Sequence, residues 1–496
     1  MKRYTLITLI FILFISGMFA TEIRSLWVLP WSINTPESID KMISDAVRNN
    51  QTEILIEVRY RADALYTQNR VPDIYPNPEP RSYILSLPDF DPLAYAISEG
   101  HKHGLKVQAW AVVFNATPLD SNLIRKNYMF TEHPDWITYD ANYLRMKSTE
   151  QFGYFIDPGI PEVQEHLLNV FGDLASGYPD LDGIHLDYIR YPSTDFGYHP
   201  VSIGRFQHQK EVEPDLEWNA WRIRQVSTFV ENLYKQTKSL APNMLLTAAV
   251  FADQFEAVGQ YAQDWQSWLD KKIIDRVYLM HYHKDDSRFL NILSNVKDMD
   301  HDDRIVVGLR AWDPSGASLL PNIFSESRDY NVYNLIDRIN WVRDYRFAGL
   351  ALFSYDGIVK GGALDYLGRQ VFLNEPLVSV VDPLNNAIPG SADQTATDLN
   401  PDGNIAPDVV VMPNLDSYLL YLYIPHEGTW KLALFDEDDN LILERTRYFQ
   451  NGSNTEFWDG TRMDGSKIDT GIYYFRLGRD DDACDYLIPV DISRIW

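Results

Sequence analysis

Short β-rich runs alternate with amphipathic stretches through most of this chain, and that alternation constrains its fold more than any other feature. The runs are Ile23–Trp31, Glu53–Tyr60, Leu105–Val113, Leu181–Leu186, Met244–Phe251, Ile274–His281, Arg304–Arg310 and Phe347–Ser354. Between them lie the helical patterns Pro36–Asn49, Pro92–His103, Pro161–Gly177, Trp218–Leu240 and Val332–Tyr345. Pro36, Pro92 and Pro161 stand where a first helical turn begins, and Gly104 follows His103 as a stop. Strands that each lead into a helix or a long loop predict a (β/α)8 TIM barrel, of class α/β. An open doubly wound sheet is the competing arrangement, and the lack of a Gly-rich phosphate loop after the first strand counts against it.

The barrel is expected over 21–384. Residues 385–407 (NNAIPGSADQTATDLNPDGNIAP) lack periodicity and read as a linker. Beyond it, Val409–Met412, Tyr418–Tyr423, Trp430–Phe435, Leu441–Arg447, Glu456–Trp458 and Ile472–Leu477 alternate in short strands, with turn signals at Asp439-Asn440, Asn451-Gly452 and Asp464-Gly465. This predicts a small all-β sandwich over 408–496. At the other end, the basic Met1-Lys2-Arg3 and the apolar run Tyr4–Ala20 read as a signal peptide over 1–20, cleaved after Ala20. The expected location is therefore secreted or in the periplasm or cell envelope, with no membrane span after cleavage. Cys484 is the one cysteine, so no intrachain disulfide forms, and an exported chain of this kind depends on a large core.

A formal net charge of −26 repels phosphate backbones, which argues against nucleic-acid partners. Aromatic residues reach 13%, with 13 Trp and 30 Tyr, a surplus suited to covering the C–H faces of sugars as well as filling a core.

In a TIM barrel the chemistry gathers at the C-terminal strand ends. In Glu53–Tyr60, Ile54, Ile56 and Val58 form a helix-facing apolar set, so Glu57 and Arg59 should point inward and pair, because a buried charge needs a partner. The densest polar stretch is Asp182-Gly183-Ile184-His185-Leu186-Asp187-Tyr188-Ile189-Arg190-Tyr191-Pro192. His185 and Asp187 should face inward there, with Arg190 and Tyr191 in the following loop. A mouth carboxylate flanked by a cation and phenols suits an oxocarbenium-like centre, and Asp187 is taken as the ionised catalytic group. Cleavage of a glycosidic bond needs a second, acidic carboxyl. Asp253, Glu256, Asp285 and Asp356 qualify by position, with Asp253 favoured, and Glu57 also qualifies. Trp110, Asn115, Tyr282, Trp312 and Tyr355 lie near strand ends as sugar platforms or hydrogen-bonding groups. His281 and His283, with His185, could share a metal, but their spacing matches no specific motif, so no metal or other cofactor is expected.

These segments resemble the bacterial glycosyl-hydrolase-like family 10 envelope proteins. Asp182–Pro192 is similar to the family's DGIH-[FL]-D motif with a following Tyr-Pro. Val58-Arg59 with Ala62–Tyr66 resembles its "VR…DALY" element. Phe90–Leu93 and His103–Trp110 resemble its "DPL…GL-V-AW" approach to the third strand, and Asp157–Val163 resembles "-PG-PEV". Trp221-Arg222 also opens a helix before the fifth strand as in the family. The likeness spans roughly residues 22–370 and rests on colinear order. It implies a glycan-cleaving barrel, with peptidoglycan glycan strands as the favoured substrate. The sequence departs from the family at Tyr188, where many relatives carry a second Asp, at Ala249–Asp253, and at His281-Tyr282-His283. These departures support an alternative, a non-catalytic glycan-binding or surface-scaffold protein that keeps the barrel.

Trp458-Asp459-Gly460, Asp464-Gly465 and Thr470–Tyr474 resemble the immunoglobulin-like module of the flagellar hook-capping protein, which implies a spacer or cell-surface docking role. Asp398-x-Asn400-x-Asp402-Gly403 resembles the start of a calcium loop, but Val409 occupies the position that needs Glu, so it reads as linker.

Overall fold

A computed structural model describes residues 20–148, 153–312, 319, 330–372 and 377–378, and the span 408–492 apart from 415–416, 425–427, 437–439, 450–451, 459, 463–465, 469–470 and 480–485. The signal peptide up to residue 19, the linker with its calcium-loop resemblance, Cys484 and residues within all three C-terminal turn signals lie outside the described residues. The chain divides into two compact units, Met1–Asp382 and Pro383–Trp496.

The first unit is a closed parallel barrel. Its strands are β1 (Ile23–Val28), β2 (Glu53–Arg59), β3 (Lys106–Val112), β4 (Gly183–Asp187), β5 (Leu245–Phe251), β6 (Arg276–His281), β7 (Ile305–Arg310) and β8 (Gly349–Phe353). They pair in chain order, and β8 returns to β1. The main helices of the surrounding layer are α1 (Pro36–Arg48), α2 (Pro92–Lys102), α3 (Pro161–Gly177), α4 (Pro200–Val212), α5 (Trp218–Leu240), α6 (Gln254–Tyr261), α7 (Trp265–Asp270), α8 (Asp286–Lys297), α9 (Val332–Asp344), α10 (Tyr355–Lys360) and α11 (Leu364–Gln370). Proline opens α1 to α4, where its missing N–H costs nothing and its fixed φ suits a first turn. Thr35 caps α1 and Asp91 caps α2, each accepting a backbone N–H from the first turn.

The period of two along each strand separates two cores. Leu26, Ile54, Ile56, Val107, Ile184, Leu246, Val277, Val307 and Leu350 face the helices in one large cluster. Trp27, Leu55, Trp110, Ala249, Tyr278, Val306 and Ala351 fill the barrel itself. Gly308 makes room for the largest of these, since a Cβ there would lie 2.5 Å from the Leu279 carbonyl oxygen and 2.7 Å from the Trp27 ring.

The second unit is all-β. Strands β9 (Asp408–Asn414), β10 (Ser417–Ile424) and β13 (Gly452–Trp458) form one antiparallel sheet. Strands β11 (Gly428–Phe435), β12 (Leu441–Phe449), β14 (Gly471–Arg479) and β15 (Tyr486–Ile492) form another. Leu420, Leu422 and Trp458 from the first sheet share a core with Trp430, Leu432, Phe449 and Phe475 from the second. Strand β15 was not expected from the sequence. Among the described residues, no helix is long and apolar enough to cross a membrane.

Candidate active site

The lower barrel interior is polar and internally satisfied. Trp27 Nε1 donates to His185 Nε2 at 3.0 Å, so the His185 proton sits on Nδ1 and donates to Thr247 Oγ1 at 2.8 Å. Thr247 Oγ1 donates to Gln108 Oε1, Gln108 Nε2 to the Tyr278 hydroxyl, and that hydroxyl to Glu53 Oε1 at 2.5 Å. Burial holds the His185 imidazole neutral, with its pKa pushed down to about 3. His185 therefore does not reach Asp187 or the mouth. It ties β4 to β1 and β5 inside the barrel, which corrects its expected place among substrate-binding residues.

One layer above, at the end of β4, Asp187 is 7% exposed. Its Oδ1 accepts the Tyr188 backbone N–H at 2.6 Å and its Oδ2 accepts Trp110 Nε1 at 3.2 Å. The tight bond to Tyr188 comes from a sharp turn, with Tyr188 at φ 49°, a left-handed conformation uncommon for a non-glycine residue. Trp110 is buried, edge-on to Phe353, and serves as a donor to Asp187 rather than as an open sugar platform. Arg190 lies over the rings of Tyr188, Phe251 and Tyr261 at 4.6, 4.9 and 5.0 Å. Burial raises the pKa of Asp187, while the Tyr188 N–H, Arg190, Trp110 and Arg61 oppose that rise.

Glu57 enters from β2, only 2% exposed. The expected Glu57–Arg59 ion pair does not form. The β2–β3 register sets Glu57 against Trp110 but Arg59 against Ala111, so a bulge interrupts the alternation between them. Arg59 instead binds Glu79 through Nε and Nη2 at 2.8 and 2.6 Å and reaches the Val112 and Val113 carbonyls. Glu79 also receives His166 at 3.0 Å. Burial raises the Glu79 pKa, but Arg59 and His166 outweigh it and bring the carboxyl down to about 2. Arg59 thus anchors the β2–α2 loop and does not face a substrate.

Without that partner, the Glu57 carboxyl makes no hydrogen bond among the described residues. Burial lifts its pKa well above the ordinary carboxylate value. Arg61 opposes this, and the charges of Asp187, Asp63 and Asp356 add to it. Two inward carboxyls, on strands β2 and β4 with β3 between them, therefore have unlike environments. Burial pushes Glu57 strongly toward its protonated form, while Asp187, raised by burial as well, is braced by two N–H donors with Arg190 and Arg61 in electrostatic reach. Acid and base assignments in enzymes follow from such divergence.

The other expected residues divide by position. Tyr282, Trp312 and Phe353 form a half-buried aromatic group with centroids 5.1–5.5 Å apart, and burial together with the Asp187 and Tyr188 charges raises the Tyr282 pKa. Asp356 accepts Ser32 Oγ at 2.5 Å and the Leu29 N–H at 3.2 Å, and its charge reaches Glu57. Asp253 caps α6 by accepting the Phe255 and Glu256 N–H groups, and it lines a small recess with Phe255, Ile292 and Met299. Asp285 likewise caps α8 through the Arg288 N–H. Capping thus engages the Asp253 carboxylate, whereas Glu57 makes no hydrogen bond among the described residues.

Tyr191 is fully buried, with the Arg222 guanidinium 4.4 Å above its ring, and Asn115 is buried in the β3–α3 connection. His281 turns to the helix layer, stacked 3.9 Å on Phe289 with its Nε2 on the Phe289 carbonyl. The Tyr355 hydroxyl donates to Asp45 of α1. These four do not line the mouth. The metal reading needed His185 and His281 together, and they sit in different layers. No group of three or more His, Cys, Asp or Glu residues able to hold a metal occurs among the described residues. Arg61 was not singled out from the sequence. It follows the β2 bulge, and only the folded loop brings its charge to Glu57 and Asp187.

Residues 20–311, more than half of the chain, match the family described as glycosyl hydrolase-like 10. The chain belongs to that family. The chain is similar to the glycosyl hydrolase YngK of Bacillus subtilis, 24% identical over 241 residues that cover 45% of this chain and 43% of YngK. The glycosyl hydrolase DigH of Escherichia coli K12 is 34% identical over 117 residues, covering 22% of this chain and 24% of DigH. The matched stretches thus span less than half of either relative. Among solved structures, a β-galactosidase from Rahnella sp. R3 shares the fold, with a TM-score of 0.50 at 11% identity over 73% of this chain and 57% of that one.

Proposed function

We propose that this glycosyl hydrolase-like 10 barrel is an exported hydrolase that cleaves glycosidic bonds in a bacterial or environmental polysaccharide, peptidoglycan glycan strands first. Glu57 is the general acid that protonates the leaving oxygen. Asp187 is the ionised partner that attacks the anomeric carbon, or activates water against it, and stabilises the positive charge that develops there. Trp110 and the Tyr188 N–H hold the Asp187 oxygens in place. One observation carries the reading: two inward carboxyls on β2 and β4, one pushed toward its neutral form by burial and like charge, the other braced by N–H donors. The C-terminal unit, read as an immunoglobulin-like module, serves as a spacer or as a dock on the cell surface.

The test is release of reducing ends from isolated cell-wall glycan by the intact chain and by Asp187→Asn. The substitution is expected to preserve the fold and abolish release. Equal release by both proteins removes Asp187 from the mechanism. Binding to sacculi with no new reducing ends from the intact chain supports the scaffold alternative.

A further inference from the structure

Trp31 lies in the β1–α1 loop with 53% of its surface exposed, an unusually open position for an indole. Its ring meets Tyr60 edge-on at 5.4 Å. Tyr60 directly follows β2, and the Arg61 guanidinium packs 4.2 Å over its ring. The same guanidinium comes within 5.9 Å of Tyr188, the neighbour of Asp187. Tyr83, 55% exposed, is in electrostatic reach of Tyr60, Asp63 and Arg61. A chain of contacts from Trp31 to Tyr60, the Arg61 guanidinium and Tyr188 therefore links the loops of β1 and β2 to the neighbour of Asp187.

We propose that Trp31 and Tyr60, with Tyr83 beside them, form a sugar-binding subsite outside the bond that is cleaved, which takes an uncharged pyranose ring of an extended chain. An indole face open to solvent gains most from the C–H face of a sugar, which is apolar while the sugar's edges stay hydrated. The ring is uncharged because Asp187 and Asp356 make the neighbourhood acidic, and the Arg61 cation already lies on Tyr60. Continuity with the carboxyl pair sets the occupant: a further unit of the same glycan rather than a separate ligand. The inference rests on the reading of the mouth as a glycan site and extends it to substrate length.

Glycan strands freed of stem peptides and sorted by length are the probe. Hydrolysis is followed for the full chain, Trp31→Ala, Trp31→Phe and Phe255→Ala, the last an exposed aromatic on α6 that serves as control. Trp31→Ala is expected to raise KM on long strands about fivefold to tenfold, as loss of a stacking contact would. The rise should shrink as strands shorten, Trp31→Phe should be intermediate, and the control should be unchanged. Calorimetric titration of the same strands into Glu57→Gln, with and without Trp31→Ala, reads binding apart from cleavage. Equal KM and Kd with and without the indole on long strands overturns the subsite, as does a loss independent of length. No cleavage by the full chain, together with Trp31-dependent binding, leaves the subsite standing and removes the hydrolase reading. No binding by any protein overturns both.

Discussion

A buried carboxyl is pushed toward its neutral form when its charged form loses water and has no directly bound cation, and Glu57 is in that position because the β2 bulge takes Arg59 away from it and leaves the longer-range charge of Arg61. Burial is the larger cause of its raised pKa, and the neighbouring carboxylates add to it. Two consequences follow. First, kcat/KM should fall on the acid side as Asp187 takes up a proton and on the alkaline side as Glu57 loses one, because both groups titrate above their ordinary values. In Glu57→Gln the alkaline limb should disappear. Second, a folded pKa above the unfolded value contributes stability below about pH 4.5 that is lost as pH rises toward the folded pKa. Glu57→Gln should therefore have the melting temperature of the parent below about pH 4.5 and exceed it increasingly as pH rises from there toward the folded pKa of Glu57. A constant difference across pH would show that the Glu57 carboxyl ionises freely in the fold.

At the scale of elements, the Arg59–Glu79 pair carries the opposite sign. Its partners are almost fully buried at 2.6 Å, and it fixes the β2–α2 loop that presents Arg61 and Asp63. Removing one partner leaves an uncompensated buried charge, so Glu79→Gln is expected to cost about 3–5 kcal/mol in chemical denaturation. Because the Glu79 pKa is lowered to about 2, its contribution is present above pH 4.5 and is lost as pH falls from there toward 2. Acid unfolding should steepen in that window for the parent and flatten in Glu79→Gln.

Legibility from the sequence also divides by element. All eight barrel strands were readable because their helix-facing residues repeat with period two, and α3 and α5 because a proline or an amphipathic run marks their bounds. Asp187 was readable as the last inward residue of β4. Glu57 was readable as a candidate acid, but its separation from Arg59 was not, since a one-residue bulge reverses the alternation on which their pairing was predicted. Asp253, Tyr191, His281 and Tyr355 share a different cause. A position near a strand end does not specify direction, and capping, the helix layer and α1 each claimed a side chain expected at the mouth.

At the scale of the whole molecule, the barrel and the C-terminal sheets each enclose their own core. Scanning calorimetry should resolve two transitions, and Gly308→Ala, which crowds Trp27 inside the barrel, should lower only one of them. The strong negative charge disfavours contact with phosphate backbones. The measurement closest to the central claim is the rate of reducing-end release from peptidoglycan glycan strands by the intact chain and by Glu57→Gln, both confirmed folded by circular dichroism. Release by the intact chain with a loss of about 10²–10⁴-fold in the variant is expected of a missing general acid. Equal rates, or no release by the intact chain, would contradict it.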